Sequence, residues 1–515
     1  MSNTVVGDLP VAGAPSQRMP IPLMVSVMLA TIMQAVDSTI ANVALPHMQG
    51  AMSATQDQIA WVLTSYVVAS AVFMPLTGFL SSRLGQKRLF LISTVGFTVV
   101  SMLCGAAQSL EQILVFRLLQ GAFGAFLVPL SQTVLLDSTP PAKHPTAMAF
   151  WGVGVMVGPI LGPTMGGYLT EYFSWRWVFY INLPIGLLAW AGITAFMPEK
   201  NSPRRRFDVL GFALLSISLA TLQLMLDRGE SQGWFDSTEI IFEALVAGLC
   251  LYMFIVHMMT GRSPYLDPSL FRDRNYCGGL TVGFVAGVIL MATMALLPPY
   301  LQHLGGYPVL DVGLLLAPRG LGTMAAMVLV GKLGTRVDPR HEILLGLALI
   351  AYSLYEMSLF VTHVPERLVL VTGVIQGFGL GLVMVPLSAT SFSTLTPAQR
   401  EDGTSLYSLV RNLGGSIGIS LTTAALLRNG QANHAQFSEH ITPFNPAFQQ
   451  ALTESAALHM NPEQGLVLVN QMVNEQAMTL AYLQDFRLMM WMTLLAMPIV
   501  FLLQNPHRKR GRRLA

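Results

Sequence analysis

The sequence is poor in charged residues. Only 11% of its 515 residues are Asp, Glu, Lys or Arg, whereas 53% are hydrophobic. An ordinary soluble domain is about one-quarter charged. The composition therefore excludes a typical soluble protein and indicates one that lies in a membrane.

Cysteine and catalytic motifs are also scarce. Cys104, Cys250 and Cys277 are odd in number and lie in apolar runs, so no disulfide framework is expected. The sequence contains no Walker A motif, no H-E-x-x-H, no paired C-x-x-C and no haem-type signature. We therefore expect neither an enzyme nor a cofactor, a metal or a nucleic-acid partner, and any energy source is expected to be an ion gradient.

Long apolar runs are abundant. A helix needs about 20 apolar residues to cross the hydrocarbon core of a membrane. The first run is about 25 residues long and has no small-residue cleavage site, so it is predicted to be a span and not a signal peptide. The whole pattern predicts an all-α membrane protein with fourteen spans, at residues 21–45, 58–80, 88–107, 113–136, 146–168, 177–197, 208–226, 238–258, 277–302, 310–331, 342–361, 366–390, 403–426 and 484–504.

The basic residues predict the orientation. Of the 29 Lys and Arg residues, 21 fall in the two tails and in alternate loops, and only four fall in the opposite loops. Loops rich in Lys and Arg stay on the cytoplasmic side. Both termini, residues 1–20 and the basic tail 505–515, are therefore predicted to be cytoplasmic.

Two halves of the chain resemble each other. "LTGFLSSR" at 76–83 matches "LVGKLGTR" at 329–336, and "QG…VPLS" at 120–131 recurs at 376–388. Such repeats are typical of transporters built from two six-helix halves. We predict halves at 21–197 and 277–504, separated by two extra helices within 208–258 that have no repeat partner.

One loop on the predicted outer side, residues 427–483, is much longer than the others. It mixes polar stretches with helix formers such as "NPEQGLVLVNQMVNEQAM". Long loops are commonly functional. The sequence leaves two interpretations open, a small folded cap or a docking surface.

Asp37 is an acid within the first apolar run, "QAVDSTIANVALP". It precedes Pro46 by nine residues, about 13 Å along a helix, which places it near the membrane midplane. An Asp there costs roughly 2.5 to 3.5 kcal/mol, so it is expected to face a cavity or a partner. A proton carrier fits this position, and the alternative is an acid that only joins two helices or caps a local turn.

Arg117 is the candidate partner. It lies about 6 Å below the outer end of the fourth span, within reach of Asp37. Protonation of the acid would release the Arg, and deprotonation would restore the pair, giving a two-state switch. The equivalent position in the second half is Gly373, so the Arg is not a feature of both halves.

The fifth span contains "GVGVMVGPILGPTMGG" at 152–167. Small residues four apart let helices approach closely, and proline bends the helix. The stretch predicts a tight, bent helix interface, with close packing alone as the alternative. Its candidate residues are Gly158, Pro159, Gly162, Pro163, Gly166 and Gly167.

Weaker signals come from polar residues within the spans and from the 30 Met residues, which suit a deformable apolar pocket. Each polar residue could line a cavity or bind substrate, or could instead pair locally or snorkel to the interface. The candidates are Gln34, Asn42, Gln120, Tyr300, Glu356, Arg319 and Arg411.

Taken together, these motifs resemble the major facilitator superfamily and, within it, the fourteen-helix drug:proton antiporters of the EmrB type. "GFLSSRLGQKR" resembles the superfamily's cytoplasmic loop motif, with Gly78, Arg83 and Gly85 in place and with Ser82 where an Asp is usual. "RLLQGAFGA" resembles the fourth-helix motif and "GPILGPTMGG" the antiporter motif. "VDSTIANVALP" and "WRWVFYINLPIG" are typical of the fourteen-helix branch.

The resemblance implies a proton-driven exporter of lipophilic toxic compounds in the bacterial inner membrane. Asp37 and Arg117 would couple protons to transport. The resemblance also implies a tripartite system with an EmrA-like periplasmic adaptor and a TolC-like outer-membrane channel. Two alternatives remain, a narrow-specificity exporter of a fatty acid, siderophore or metabolite, and a sensor that binds ligand without transport.

Overall fold

A computed structural model describes residues 21–200, 207–261, 265–334, 336–442, 444–445, 448–450 and 462–504. The predicted tails 1–20 and 505–515 and the basic residues Arg204, Arg205 and Arg206 lie outside these ranges. The described residues form helices joined by short turns, with no β-strand.

The first half contains nine helices. Thr55 begins the second with a capping box, in which its hydroxyl and the Gln58 side chain each satisfy a backbone N–H. Gly85 has a φ of 90°, which favours glycine, and makes the turn between the third and fourth helices. The helices are α1 (Ile21–Ala51), α2 (Gln56–Phe73), α3 (Thr77–Leu84), α4 (Gln86–Ala106), α5 (Leu110–Gly124), α6 (Leu127–Asp137), α7 (His144–Tyr172), α8 (Trp177–Tyr180) and α9 (Asn182–Phe196).

Two helices separate the halves, α10 (Val209–Arg228) and α11 (Thr238–Thr260). The Asp208 side chain caps α10 by accepting a hydrogen bond from the Gly211 N–H. The Ser218 hydroxyl of α10 donates to the Ala247 carbonyl of α11, 2.9 Å away. The two helices pack on each other, and α10 also packs on α2.

The second half begins with α12, which continues through Pro298 and Pro299 into a π-helical turn, Tyr300–Leu304. Its core is continuous with that of the first half and consists mainly of Leu, Val, Ala and Met. Its helices are α12 (Arg274–Pro299), α13 (Val309–Leu333), α14 (Pro339–Met357), α15 (Glu366–Ser393), α16 (Arg400–Ser438) and α17 (Pro462–Val500).

Eleven helical segments of the described chain are long and apolar enough to cross a membrane. All fourteen predicted spans coincide with helical segments. The three outside the eleven are 342–361, 403–426 and 484–504. They overlap α14, α16 and α17, and only residues 358–361 and 501–504 lie beyond the ends of these helices. The expected all-α architecture is confirmed, whereas fourteen crossings and the exact boundaries of the halves remain predictions.

The region predicted as a long loop, 427–483, is helical over much of its length. Helix α16 continues to Ser438, about 18 Å beyond the predicted end of its span, and α17 already begins at Pro462. The Asn433 amide of α16 donates to the Ala477 carbonyl of α17 at 3.2 Å. The two helices therefore continue together as an antiparallel pair past the predicted spans.

The halves are joined at one end of the bundle. We call the end that carries Arg83, Lys200, Lys332 and Arg400 the basic end, and the end that carries Arg176 and Arg228 the opposite end. Hydrogen bonds between the halves at the basic end connect Ser81 with Glu401 at 2.8 Å, Thr133 with Thr404 at 2.8 Å, Ser405 with the Met74 carbonyl at 2.6 Å, and Thr146 with the Gly331 carbonyl at 2.9 Å.

An ion-pair cluster lies at the same end. Asp137 of α6 pairs with Lys200 at 2.6 Å and, across the halves, with Arg400 of α16 at 2.7 Å. The face of α7 that meets the second half becomes more exposed from the basic end toward the opposite end. Gly152, nearer the basic end, is buried, whereas farther along the helix Pro163 is exposed and a Cβ at Gly167 would meet nothing within 4 Å. The cleft between the halves is therefore closed at the basic end and open at the opposite end.

Candidate functional site

Asp37 lies fully buried in the middle of α1 with three hydrogen-bond donors around it. The Arg117 Nη1 group of α5 donates to its Oδ2 at 2.8 Å. The Oδ1 atom accepts from the Gln120 Nε2 group at 2.9 Å and from the Asn182 Nδ2 group of α9 at 2.7 Å. Three helices of the first half therefore converge on one carboxylate, and the predicted pairing of Asp37 with Arg117 is present.

Arg117 is 1% exposed and is held by more than the acid. Its Nε group donates to the Val62 carbonyl at 3.2 Å, and its Nη1 group also donates to the Gln120 Oε1 atom at 2.8 Å. Its guanidinium lies 4.3 Å from the centre of the Tyr66 ring, a cation–π distance. The cation therefore keeps neutral partners if the carboxylate loses its charge.

These contacts give both charged side chains additional neutral partners. A buried ion pair is expensive to break by removing one partner, about 3 to 5 kcal/mol, because the other charge stays buried and unpaired. Protonation of Asp37 removes its charge without removing the side chain. Arg117 can then shift toward the Gln120 and Val62 oxygens, while Gln120 and Asn182 keep the neutral acid in place.

Residues of the Gly/Pro-rich stretch lie against the helix that carries the acid. A Cβ at Gly158 would lie 2.8 Å from the Ala35 Cβ, and one at Gly162 would collide with the Thr39 side chain. The Thr39 hydroxyl donates to the Gly158 carbonyl at 3.0 Å. Ala35 and Thr39 flank Asp37, so α7 is in backbone-level contact with the site.

The same helix contacts the second half. A Cβ at Gly152 would lie 2.8 Å from the Met327 Sδ atom of α13, and a Cβ at Gly320 of α13 would collide with Ile160 of α7. Inside α7, Pro159 lies between these two contacts, and Pro163 lies beyond them toward the open end of the cleft. Helix α7 therefore connects the buried acid to the interface between the halves.

The loop-motif residues lie at the basic end. Gly78 packs directly on Asp402 of α16, and a Cβ there would collide with that carboxyl group. Ser82, where related motifs have an acid, donates to the Phe79 carbonyl of its own helix at 2.7 Å. Arg83 is exposed in the last turn of α3. The acids at this contact come from the second half, and the sequence analysis did not identify them.

A small cavity of about 20 Å³ lies between the halves, and Arg411 borders it. The Arg411 guanidinium lies 5.9 Å from the centre of the Trp151 ring of α7. Four helices from both halves contribute the wall, which is mostly apolar and rich in methionine: Met148, Trp151, Gly152, Val155, Met156, Met327, Met384, Val385 and Ser388.

The remaining candidates do not gather at one site. Arg319 is buried on α13 against Gly373, and its Nη2 atom has no hydrogen-bond partner. Tyr300 is buried in an aromatic cluster of the second half and donates to the Val361 carbonyl at 3.0 Å. Glu356 is partly buried near the end of α14, and Asn42 is exposed. Gln34 belongs to the Asp37 site, because its amide donates to the Tyr66 hydroxyl at 3.1 Å.

Asn182 is a site residue that the sequence analysis missed. It lies in "YINLP", within a motif that was identified only as typical of a branch. An amide within the predicted span 177–197 was the available signal. In the described part of the chain, no group of three or more His, Cys, Asp or Glu side chains is arranged to hold a metal ion.

A two-half helical bundle with an open central cleft and a buried acid defines a multi-pass membrane transporter. The family model for the Major Facilitator Superfamily matches residues 27–419. The chain belongs to this superfamily.

Curated relatives extend over nearly the whole chain. The multidrug export protein EmrB of Escherichia coli K12 is 35% identical over 497 residues, covering 95% of this chain and 96% of that protein. The EmrB protein of Haemophilus influenzae is 36% identical, covering 88% and 90%. The fatty acid resistance protein FarB of Neisseria gonorrhoeae is 34% identical, covering 94% and 96%.

Solved structures share the fold. The proton:xylose symporter XylE matches with a TM-score of 0.62 at 12% identity, covering 94% of this chain and 95% of that one. The human organic anion transporter MFSD10 matches with a TM-score of 0.60 at 14% identity, covering 94% and 100%. The expected superfamily fold is confirmed.

Proposed function

We propose that this protein is a proton-driven exporter of lipophilic toxic compounds in the bacterial inner membrane. The basic end would face the cytoplasm, with both termini there. The similarity to the two EmrB proteins supports multidrug export. A proton gradient would supply the energy.

The buried Asp37 network is the observation that carries the proposal. An acid with no exposed surface, bonded to one cation and two amides, is costly inside a membrane and calls for a role. In the open-outward conformation, a proton from the periplasm would bind the Asp37 carboxylate and free Arg117 from the ion pair. The contacts of α7 with α1 and α13 would pass this change to the interface between the halves.

The opposite conformation completes the cycle. When the basic end opens, the proton leaves Asp37 toward the cytoplasm and the pair with Arg117 forms again. A lipophilic compound enters the apolar, methionine-rich cavity from the cytoplasmic side at this stage. Closure of the basic end carries the compound outward, so each proton moves in as substrate moves out.

A second candidate function is export of lipophilic anions such as fatty acids. Arg411 is a cation at the edge of an otherwise apolar cavity, and such a site suits a carboxylate with an apolar tail. The FarB relative is a fatty acid resistance protein. The two candidates differ in whether substrates without negative charge are transported.

The extended ends of α16 and α17 would serve as a docking surface for a periplasmic adaptor of an EmrA-like kind, which would lead to a TolC-like outer-membrane channel. Leu466 and Val467 of α17 are 50% and 67% exposed in this region, beyond the predicted span. Exposed apolar side chains outside a bilayer are typical of protein interaction sites. Replacement of both by Ser should abolish adaptor co-purification while leaving transport across the inner membrane intact.

The first experiment is uptake of a fluorescent lipophilic dye by everted inner-membrane vesicles with an acidified interior. Wild type, Asp37→Asn and the control Asp57→Asn, an exposed acid in the first turn of α2, are compared at equal expression. We expect Asp37→Asn to bind dye but to lose gradient-dependent uptake, with Asp57→Asn unaffected. Normal uptake by Asp37→Asn would rule out this acid as the coupling site. Uptake of anions but of no neutral or cationic dye would favour the second candidate.

A further inference from the structure

The second half contains a residual copy of the Asp37 site. In the repeated "QG…VPLS" motif, Gln376 is the second-half equivalent of Gln120. The same spacing along the sequence, counted from Asp37, gives Thr293 as the equivalent of the acid. The copy keeps the same contact, because the Gln376 Nε2 group donates to the Thr293 hydroxyl at 3.3 Å, as Gln120 donates to Asp37. Both residues are fully buried.

The copy has lost its charges. Thr293 replaces the acid, and Gly373 replaces the arginine. The Gln376 Oε1 atom, whose counterpart in Gln120 accepts from Arg117, has no hydrogen-bond partner. By itself this position cannot hold an ion pair.

An acid lies one helical turn away from the copy. The Met489 Sδ atom of α17 is 3.9 Å from the Thr293 hydroxyl oxygen, and Asp485 precedes Met489 by one turn of the same helix. Asp485 is 0% exposed, and neither of its carboxyl oxygens has a hydrogen-bond partner. The second half thus retains a buried acid that is shifted from the α12 position to α17.

Aromatic rings cover this acid toward the opposite end. Tyr300 lies 5.3 Å from Tyr482 and 6.2 Å from Phe486, measured between ring centres, and Phe360 lies 6.4 Å from Phe486. The nearby titratable groups are the Tyr482 and Tyr300 phenols. Among the described residues, no charged or titratable residue of the adjoining segments forms an ion pair with Asp485. Only Glu356 is partly buried, and the others are exposed: Arg487, Arg428 and His303.

Such surroundings favour a neutral acid. Burial of an isolated ionised carboxylate without a cation or donors costs far more than protonation, so the group keeps a proton instead. Asp37 shows the contrast, because its charge is matched by Arg117 and two amides. We propose that Asp485 is a second proton-binding site, located in the second half and occupied by a proton in the conformation described here.

This site extends the proposed function and rests on it. In a proton-driven exporter, Asp485 would bind a proton on the periplasmic side beneath the aromatic cluster and release it when the second half rearranges. Each transport cycle would then move a proton through each half. The proton-binding acid of the first half, Asp37, would have a permanent cation beside it, whereas Asp485 of the second half would have none.

Infrared spectroscopy tests the protonation directly. The full-length protein in lipid nanodiscs at neutral pH is compared with Asp485→Asn, which keeps the side-chain shape. We expect the difference spectrum to show loss of one carbonyl band of a neutral carboxylic acid that shifts in D₂O. Loss of an ionised-carboxylate band instead would overturn the proposal. Asp37→Asn serves as the matched control and should retain the neutral-acid band.

Transport provides the second measurement. In proteoliposomes, the number of protons that enter per exported dye should fall in Asp485→Asn, whereas Asp37→Asn should lose coupled transport. An unchanged proton-to-dye ratio would contradict a role for Asp485 in coupling. If wild type shows no proton-driven transport, the proposed function fails, and the infrared result still decides whether Asp485 carries a proton.

Discussion

At the scale of single residues, the Asp37 site depends on charge balance more than on any one contact. Each partner is buried, so removal of either leaves the other charge without compensation. Removal of both charges together avoids that cost. Stability and transport should therefore respond differently to the same substitutions.

A double-mutant cycle separates the two effects. Arg117→Gln alone should lower the free energy of unfolding by about 3 to 5 kcal/mol, because it leaves the acid unpaired. The pair Asp37→Asn and Arg117→Gln should be more stable than Arg117→Gln alone, and neither variant should show coupled transport. Denaturation in mild detergent measures the stabilities. Additive effects of the two substitutions would show that the residues do not interact.

Much of this site could be predicted from the sequence because a charge in an apolar run is conspicuous. Asp37 and Arg117 stand out for that reason, and they form the predicted pair. Asn182 does not, because a neutral amide near a span end is common and its role depends on how α9 packs on α1. Asp485 was missed because it stands at the edge of the predicted span 484–504, and only the longer helix α17 shows it to be buried.

At the scale of helices, the close contact between α1 and α7 provides a direct comparison between two glycines of one motif. Gly158 has no room for a Cβ, because the Ala35 Cβ would lie 2.8 Å away, whereas Gly167 has nothing within 4 Å. Overpacking in a close-packed interior typically costs 1 to 3 kcal/mol. We expect Gly158→Ala to impair transport strongly and Gly167→Ala to leave it normal, as measured by dye uptake at equal expression. Equal effects of both substitutions would contradict a role for the α1–α7 contact.

Glu401, in the first turn of α16, predicts that closure of the basic end depends on pH. Glu401 precedes the predicted span 403–426 and is 6% exposed. Burial raises the pKa of Glu401 to about 7, while the Ser81 hydroxyl and Lys200 oppose the shift and Asp402 and Asp137 add to it. An acid whose pKa is raised in the closed state favours closure at low pH and loses that contribution as the pH rises through about 7.

Thiol labelling tests this dependence. Gly167→Cys places a reporter in the open part of the cleft, in a protein whose Cys104, Cys250 and Cys277 are replaced by Ala. Labelling by an impermeant maleimide should decrease as the pH rises through about 7, because the basic end opens and the opposite end closes. In Glu401→Gln, the labelling rate should no longer change with pH, after correction for the pH dependence of the reaction between the maleimide and a free thiol. A slope that persists in Glu401→Gln would assign the dependence to another group.

The helix boundaries show where sequence patterns fail. The apolar runs of α1 and α7 have clear polar ends, so their predicted spans lie within the observed helices. Residues 427–438 and 462–483 are polar and were predicted as loop, yet they are helical because α16 and α17 support each other through contacts such as that between Asn433 and Ala477. Hydropathy locates the part of a helix that lies in lipid, and it does not show where the helix ends.

At the scale of the whole molecule, the two halves are held in one relative position by contacts at the basic end. Asp137 is central to them, because it pairs with Lys200 in its own half and with Arg400 in the other. Partly exposed ion pairs contribute about 0.2 to 1 kcal/mol each. A change of that size shifts the populations of two conformations by a few-fold at most.

Asp137→Asn should therefore shift the molecule toward the conformation that is open at the basic end without preventing folding. With the Gly167→Cys reporter and a second reporter at the basic end, we expect the ratio of the two labelling rates, opposite end to basic end, to fall by roughly 1.5- to 5-fold, as 0.2 to 1 kcal/mol implies. The control is Asp57→Asn, which removes an exposed acid far from the contact and should leave labelling unchanged. The reporter at the basic end should become more reactive in Asp137→Asn. If labelling at the opposite end rises instead, then Asp137 holds the halves apart, and the closed basic end must depend on the hydrogen bonds of Ser81, Thr133, Thr146 and Ser405.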